Sequence, residues 1–210
     1  MKRILKIAAA AALPFVLLAG CDRNKHDDRD SGHHDKHMDA KMDAKSMATN
    51  GPTSAVAVAK VAPSKAATTQ PSWGKAMGTV TFTAQDDGKT KVVVDLTGVP
   101  PGKHGFHIHE KGDLSAPDLT STGGHFNPDK HPHAGPDAPM RHAGDLGNLD
   151  ADASGNVKKE LTTDGISIGS WAANDIVGKA VILHVKADDL KSQPTGDAGG
   201  RIAGGLIEKK

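Results

Sequence analysis

His107 and His109 stand two residues apart in the run Gly105-Phe-His-Ile-His109. An extended chain turns residues i and i+2 to the same face, so both imidazoles project together. Two imidazoles on one strand face make half of a metal site. Downstream, the stretch from Glu110 to Arg141 is rich in Gly, Pro and His and carries His125, His131 and His133. His142 and Asp145 follow it directly, and His184 sits in the late run Val181-Ile-Leu-His-Val185. A lone histidine in a strand is ordinarily a packed core or edge residue. Six of these histidines with one aspartate, gathered in a single β-rich segment, read instead as a metal constellation.

The elements that must position them are short. From residue 53 onward, β-rich runs alternate with turn signals such as Asp86-Asp-Gly88 and Pro100-Pro-Gly102. The runs are 55–61, 78–83, 91–96, 105–109, 144–150, 157–162, 180–185 and 201–207. Regular spacing of short strands predicts an all-β, eight-stranded antiparallel domain, a sandwich or a barrel. The 110–141 connection is too long for an ordinary loop and is expected to carry function. Aromatic residues are only 3% of the chain, so the core must come from Val, Ile, Leu and Ala.

The whole chain has 210 residues, 37% hydrophobic and 24% charged, which excludes wholesale disorder, collagen and a multi-span membrane protein. A formal net charge of +1 gives no footprint for nucleic acid. One cysteine, Cys21, permits no intrachain disulfide and no Cys-rich zinc site. Lys2, Arg3 and Lys6 precede an apolar run from Ile7 to Leu18, too short to span a bilayer comfortably. The run ends in Leu18-Ala-Gly-Cys21, the form of a bacterial lipobox. Residues 1–20 are therefore expected to be a lipoprotein signal peptide, with Cys21 acylated and membrane-anchored on the periplasmic side of a bacterial envelope. Residues 21–52 have almost no branched aliphatic side chains and read as a disordered tail. The tail carries His26, His33, His34 and His37 with Met38, Met42 and Met47, donors that suit copper. A metal-scavenging arm and a plain tether both fit it. Residues 53–210 form the predicted domain.

Four stretches resemble copper/zinc superoxide dismutases: Gly102-Lys-His-Gly-Phe-His-Ile-His-Glu-Lys-Gly-Asp113, Gly123-Gly-His-Phe-Asn-Pro128, His142-Ala-Gly-Asp-Leu-Gly-Asn148 and Gly199-Gly-Arg-Ile-Ala-Gly-Gly-Leu-Ile207. They occur in the family's order. The resemblance implies a Greek-key β-barrel or sandwich with a long metal-binding loop, binding one copper and one zinc. By it, copper is held by His107, His109, His125 and His184, and zinc by His125, His133, His142 and Asp145. His125 bridges the two, Asp188 ties a copper ligand to a zinc ligand, and Arg201 orients the substrate. The implied reaction converts superoxide to dioxygen and hydrogen peroxide. In it, copper changes oxidation state, zinc stays structural, and His125 carries a proton. His131 is expected to face solvent or back the site, His104 to be structural, and Lys191 to help steer the anion.

The chain departs from the family in one respect: where relatives normally carry a disulfide between the long loop and the last strand, it has Leu119 and Gly204. Leu119 is expected to lie over Gly204 and fill the space. A copper-binding or copper-delivery protein on the same fold is the alternative to the enzyme. Retention of all six histidines, Asp145 and Arg201 favours the enzyme. A homodimer stays open as an assembly.

Overall fold

The computed structural model describes Ser54–Lys210. The expected signal peptide, the lipobox Cys21 and the His/Met-rich tail lie outside the described residues. Eight strands are present: β1 Val56–Pro63, β2 Met77–Ala84, β3 Thr90–Thr97, β4 Gly102–His109, β5 Asp145–Ala151, β6 Val157–Thr163, β7 Ala180–His184 and β8 Arg201–Lys209. They form one sheet in the order β5-β4-β7-β8-β1-β2-β3-β6, and neighbours pair antiparallel throughout. The two outer strands, β5 and β6, are consecutive in the chain. The turn between them is closed by Gly155 N–H on Asp152 O at 2.9 Å and by the Asp152 carboxylate, which accepts from the Ser154 and Asn156 amides at 2.8 Å each. That turn brings the ends of the sheet together into a nearly closed barrel.

Period-two alternation explains the inner face. Ala57, Ala59 and Val61 of β1, Val80 and Phe82 of β2, and Val92, Val94 and Leu96 of β3 all point inward. The core is mostly aliphatic, as composition requires, but Phe82 and Phe106 are among its largest fully buried side chains. A short helix, α1 Lys65–Thr68, breaks the pattern between β1 and β2. Ser64 caps it by accepting from Ala67 N–H at 3.0 Å. Residues of 110–144 close over the outer faces of β4 and β7. Phe106 and Ile108 enter the barrel core, whereas His107 and His109 on the opposite face are also buried. Strand β4 is therefore covered on both sides, and it begins earlier than the run 105–109 suggested, so His104 belongs to the strand.

Leu119 anchors the long loop from outside the barrel. It is buried with Ala180 and Ile182 of β7 in a second apolar cluster. A Cβ placed on Gly204 would sit 3.0 Å from Leu119 Cδ1 and 2.8 Å from Ile182 Cδ1, so Leu119 does lie over that glycine. The residue adopts φ 60°, ψ 17°, a left-handed conformation that costs a leucine roughly 1 kcal/mol. The turn aims its carbonyl at Arg201, whose Nη1 donates to it at 2.7 Å. Leu119→Ala is expected to cost about 3 kcal/mol in chemical denaturation. Gly204→Ala is expected to destabilise the wild type, and to do so less when combined with Leu119→Ala, since Ile182 still crowds the added Cβ. A double-mutant cycle with no coupling between the two sites would contradict the packing.

Candidate metal centre

His107 and His109 of β4, His184 at the end of β7, and His125 of the long loop converge, each offering one nitrogen within 4.8 Å of the others. His125 reaches β4 because the loop bridges back at His109 and Phe126 N–H donates to Ile108 O at 2.8 Å. The hydrogen bonds around these rings decide which nitrogens are free. His109 Nδ1 faces Gly123 O at 2.9 Å and His184 Nδ1 faces Gly199 O at 3.0 Å. A carbonyl only accepts, so each Nδ1 carries the proton and each Nε2 is a bare lone pair. Those two Nε2 atoms lie 3.4 Å apart. Burial, reinforced by neighbouring imidazoles and Arg201, drives both pKa values well below the usual imidazole range, so neither ring takes up a proton to relieve the contact. His107 Nε2 donates to Asp188 Oδ2 at 2.8 Å, which leaves its Nδ1 buried without a partner, as is His125 Nε2.

The second cluster is His125, His133, His142 and Asp145, all buried. Asp145, the first residue of β5, accepts the His142 and Ala134 amides on Oδ2 at 3.1 and 3.2 Å. Oδ1 is left facing His125 Nδ1 at 2.8 Å, His133 Nδ1 at 3.1 Å and His142 Nδ1 at 3.3 Å. The last two approaches are close but misaligned for hydrogen bonds, so His133 Nδ1 and His142 Nδ1 stay unpartnered. A tetrahedron with bonds of about 2.0–2.1 Å has edges of about 3.3 Å, against 2.8–3.3 Å from Asp145 Oδ1 to the three nitrogens. Burial favours the acid form of Asp145, yet the three imidazoles outweigh it and hold the carboxyl far below its ordinary range. Burial lowers the His125 pKa to about 4 against the pull of Asp145. It would lower His133 too, but Asp145 and Asp188 together raise that residue to about 9.

A buried polar atom without a partner costs about 1–3 kcal/mol. Four imidazole nitrogens in this state, shared between two groups of converging donors, are lone-pair or donor sites that bound cations would satisfy. The residues fit two metal ions. An all-imidazole group suits a copper that changes oxidation state, and a closed three-His, one-Asp group suits a structural zinc.

Asp188 joins the clusters, with Oδ2 on His107 Nε2 and Oδ1 on His133 Nε2 at 2.9 Å. Arg201 is half-buried beside the first cluster. It is fixed by Nη1 on Leu119 O and Thr122 Oγ1 at 2.7 Å each, and by Nη2 on Gly123 O at 2.8 Å. His131 belongs to neither cluster and is half-buried, with Nδ1 3.3 Å from Arg141 O. His104 is structural, placed between His184 O at 2.8 Å and Pro100 O at 2.7 Å. Lys191 is exposed on the 185–200 connection. Thr122, Asn148, Gln193 and Gly196 support the site, and the reading of spacing and motifs gave none of them a role. Asn148 holds the Asp188 backbone by Nδ2 on its carbonyl and Oδ1 from its amide, at 2.9 and 2.7 Å. At Gly196, where φ is +67°, a Cβ would fall 2.6 Å from His133 Nε2 and nearer still to Asp188 Oδ1. Gly196→Ala should therefore break the Asp188–His133 link. The expected readout is weaker metal retention in both clusters on chelator titration, with far-ultraviolet circular dichroism unchanged.

Comparison with known proteins agrees with this geometry. The family model described as copper/zinc superoxide dismutase (SODC) matches residues 76–207. The chain is similar to an extracellular Cu-Zn superoxide dismutase of Drosophila melanogaster, 47% identical over 137 residues, which cover 62% of this chain and 74% of that protein. Among solved structures it is similar to one described as the clock protein EA4. That match has 40% identity and a TM-score of 0.64, covering 77% of this chain and 99% of the other. With the matched residues enclosing both donor clusters and Arg201, the chain belongs to the copper/zinc superoxide dismutase family.

Proposed function

We propose that the chain dismutates superoxide, with copper at His107, His109, His125 and His184 and zinc at His125, His133, His142 and Asp145. The observation that carries this reading is the pair of buried four-donor groups sharing His125, with a fixed guanidinium beside the all-imidazole one. Two superoxide ions and two protons give one dioxygen and one hydrogen peroxide. Copper in the first group supplies the site that accepts and returns the electron.

The chain's own residues do the rest. Arg201 has five N–H donors, and three of its contacts hold it to the loop. The remaining N–H groups and the positive charge are free for a small anion, which they bind and orient beside the first group. His125 Nε2 is the atom able to take up and release a proton, because Nδ1 stays engaged on the Asp145 side. His109 and His184, held neutral by burial, do not compete for that proton. A copper carrier would have no use for an arginine fixed in this way, which favours the enzyme. Export to a bacterial envelope, periplasmic side, with a lipid anchor on Cys21, is supported by the lipobox sequence. It also agrees with the extracellular designation of the Drosophila relative.

His107→Ala should abolish dismutation while zinc remains bound, since His107 offers its free nitrogen to the first group only; loss of both metals with activity retained would contradict the assignment. Arg201→Ala should keep both metals and lose activity by about 10- to 1000-fold, with the loss shrinking at high ionic strength.

Metal removal exposes a pH signature. The folded His133 pKa is raised from 6.5 to about 9, so its stabilising contribution is complete below pH 6.5 and disappears as pH rises through 9. The His125 pKa is lowered from 6.5 to about 4, so its contribution is complete above pH 6.5 and disappears as pH falls through 4. That acid limb is worth on the order of 3 kcal/mol. His107, His109 and His184 shift in the same direction as His125. Denaturant midpoints of the metal-free protein should thus peak near pH 6.5, and zinc loading, which displaces the His133 proton, should flatten the alkaline side. A monotonic profile between pH 4 and 9 would overturn this account.

A further inference from the structure

His133 lies in a stretch, 131–135, without regular secondary structure. Among the described residues, neither its N–H nor its C=O has a backbone hydrogen-bond partner. Both are taken by one side chain. Gln193 Oε1 accepts the His133 N–H at 2.8 Å, and Gln193 Nε2 donates to the His133 carbonyl at 2.7 Å. The same Nε2 donates to Lys191 O at 3.1 Å, which holds the amide in its own loop. A glutamine amide thus does for His133 what a neighbouring strand would do for a residue in a sheet.

The ring of His133 is gripped from the same segment. Asp188, five residues before Gln193, accepts from His133 Nε2 at 2.9 Å. The peptide and the far ring nitrogen are therefore both fixed from the 188–193 segment. The imidazole then has one orientation, with Nδ1 3.1 Å from Asp145 Oδ1. Among the described residues, two other side-chain amides form the same two-way pair: Asn127 with His131, and Asn148 with Asp188. Of the three, only the Gln193 pair acts on the peptide of a residue in the metal clusters. The described domain has no cysteine, so no covalent bridge backs this contact up.

We infer that Gln193 is the positioning residue of the second metal group: it sets the backbone of His133, and through it the geometry and affinity of that group. The inference rests on the reading of His125, His133, His142 and Asp145 as a zinc site. Partners that orient a metal ligand typically change metal affinity by 10–100-fold when removed. Gln193→Leu keeps the size of the side chain and removes both hydrogen bonds. Gln193→Glu keeps the acceptor for His133 N–H and sets a carboxylate against two carbonyls, so it should be no better.

The test compares wild type, both variants and Val80→Ala, a core truncation remote from the loop that lowers stability without touching the site. Zinc affinity is measured by chelator competition on the full chain, and cobalt(II) is used as a spectroscopic probe of the second group. Gln193→Leu should bind zinc at least tenfold more weakly and shift the cobalt absorption bands, while Val80→Ala changes neither. Unchanged affinity and spectrum in Gln193→Leu would overturn the inference and leave the zinc reading intact. Should wild type take up no zinc under this competition, the zinc reading fails. Exchange of the His133 amide hydrogen in the metal-free proteins then decides the positioning role alone. It should be at least tenfold faster in Gln193→Leu than in wild type, and equal rates would refute it.

Discussion

A carboxylate sealed from water must be answered in full by the groups around it. Asp145 imposes that condition on this protein. Two backbone amides satisfy one oxygen, and the other faces three imidazole nitrogens with one good hydrogen bond among them. The arrangement is complete only if the loop of 110–144 returns to the first residue of β5, bringing His125 and His133 with it. His125 in turn reaches the imidazoles of β4 and β7. The fold of the long loop and the convergence of both donor groups are thus one requirement, and a divalent cation that answered the unpartnered nitrogens would become part of the folding free energy.

The barrel supplies the rigid side of this bargain. Strands β4 and β7 are apolar toward the core through Phe106, Ile108, Val181 and Leu183, and carry His107, His109 and His184 on the other side. Ligands on paired strands have little freedom, whereas the loop residues opposite them need help. Side-chain amides give that help at His131, His133 and Asp188, and glycines give it by absence of bulk. A Cβ on Gly105 would crowd Ala198 at 2.8 Å and His107 Cε1 at 3.1 Å, so the 185–200 connection can lie against β4 only because that position is bare.

The strands were legible because period two and turn residues are local signals, and the observed ends differ from the expected runs by at most three residues. The histidine clusters were legible for a related reason. The pair at 107 and 109 shares a strand face by parity, and the motifs of the loop place the others. Local signals do not reach the contacts between distant segments. Gln193 meets His133 across 60 residues and Asn148 meets Asp188 across 40, and no periodicity marks either pair. The left-handed turn at Leu119 was equally hidden, since nothing about a leucine announces φ 60°. Its packing over Gly204 could be anticipated from the two residue types, but the aiming of its carbonyl at Arg201 could not.

The apolar contact of Leu119 with the region of Gly204 has a chemical consequence beyond packing. Every atom of sulfur in the described domain belongs to methionine, at Met77 and Met140. A loop closed by van der Waals contact, amide pairs and ligands has no thiol to oxidise, exchange or mispair. Its assembly is independent of the electron balance of the compartment in which it folds, and needs neither a dithiol oxidant nor an isomerase. The same holds in use: peroxide released at the site meets no cysteine in the domain that made it, so the oxidation ladder that begins at sulfenic acid has no first rung there.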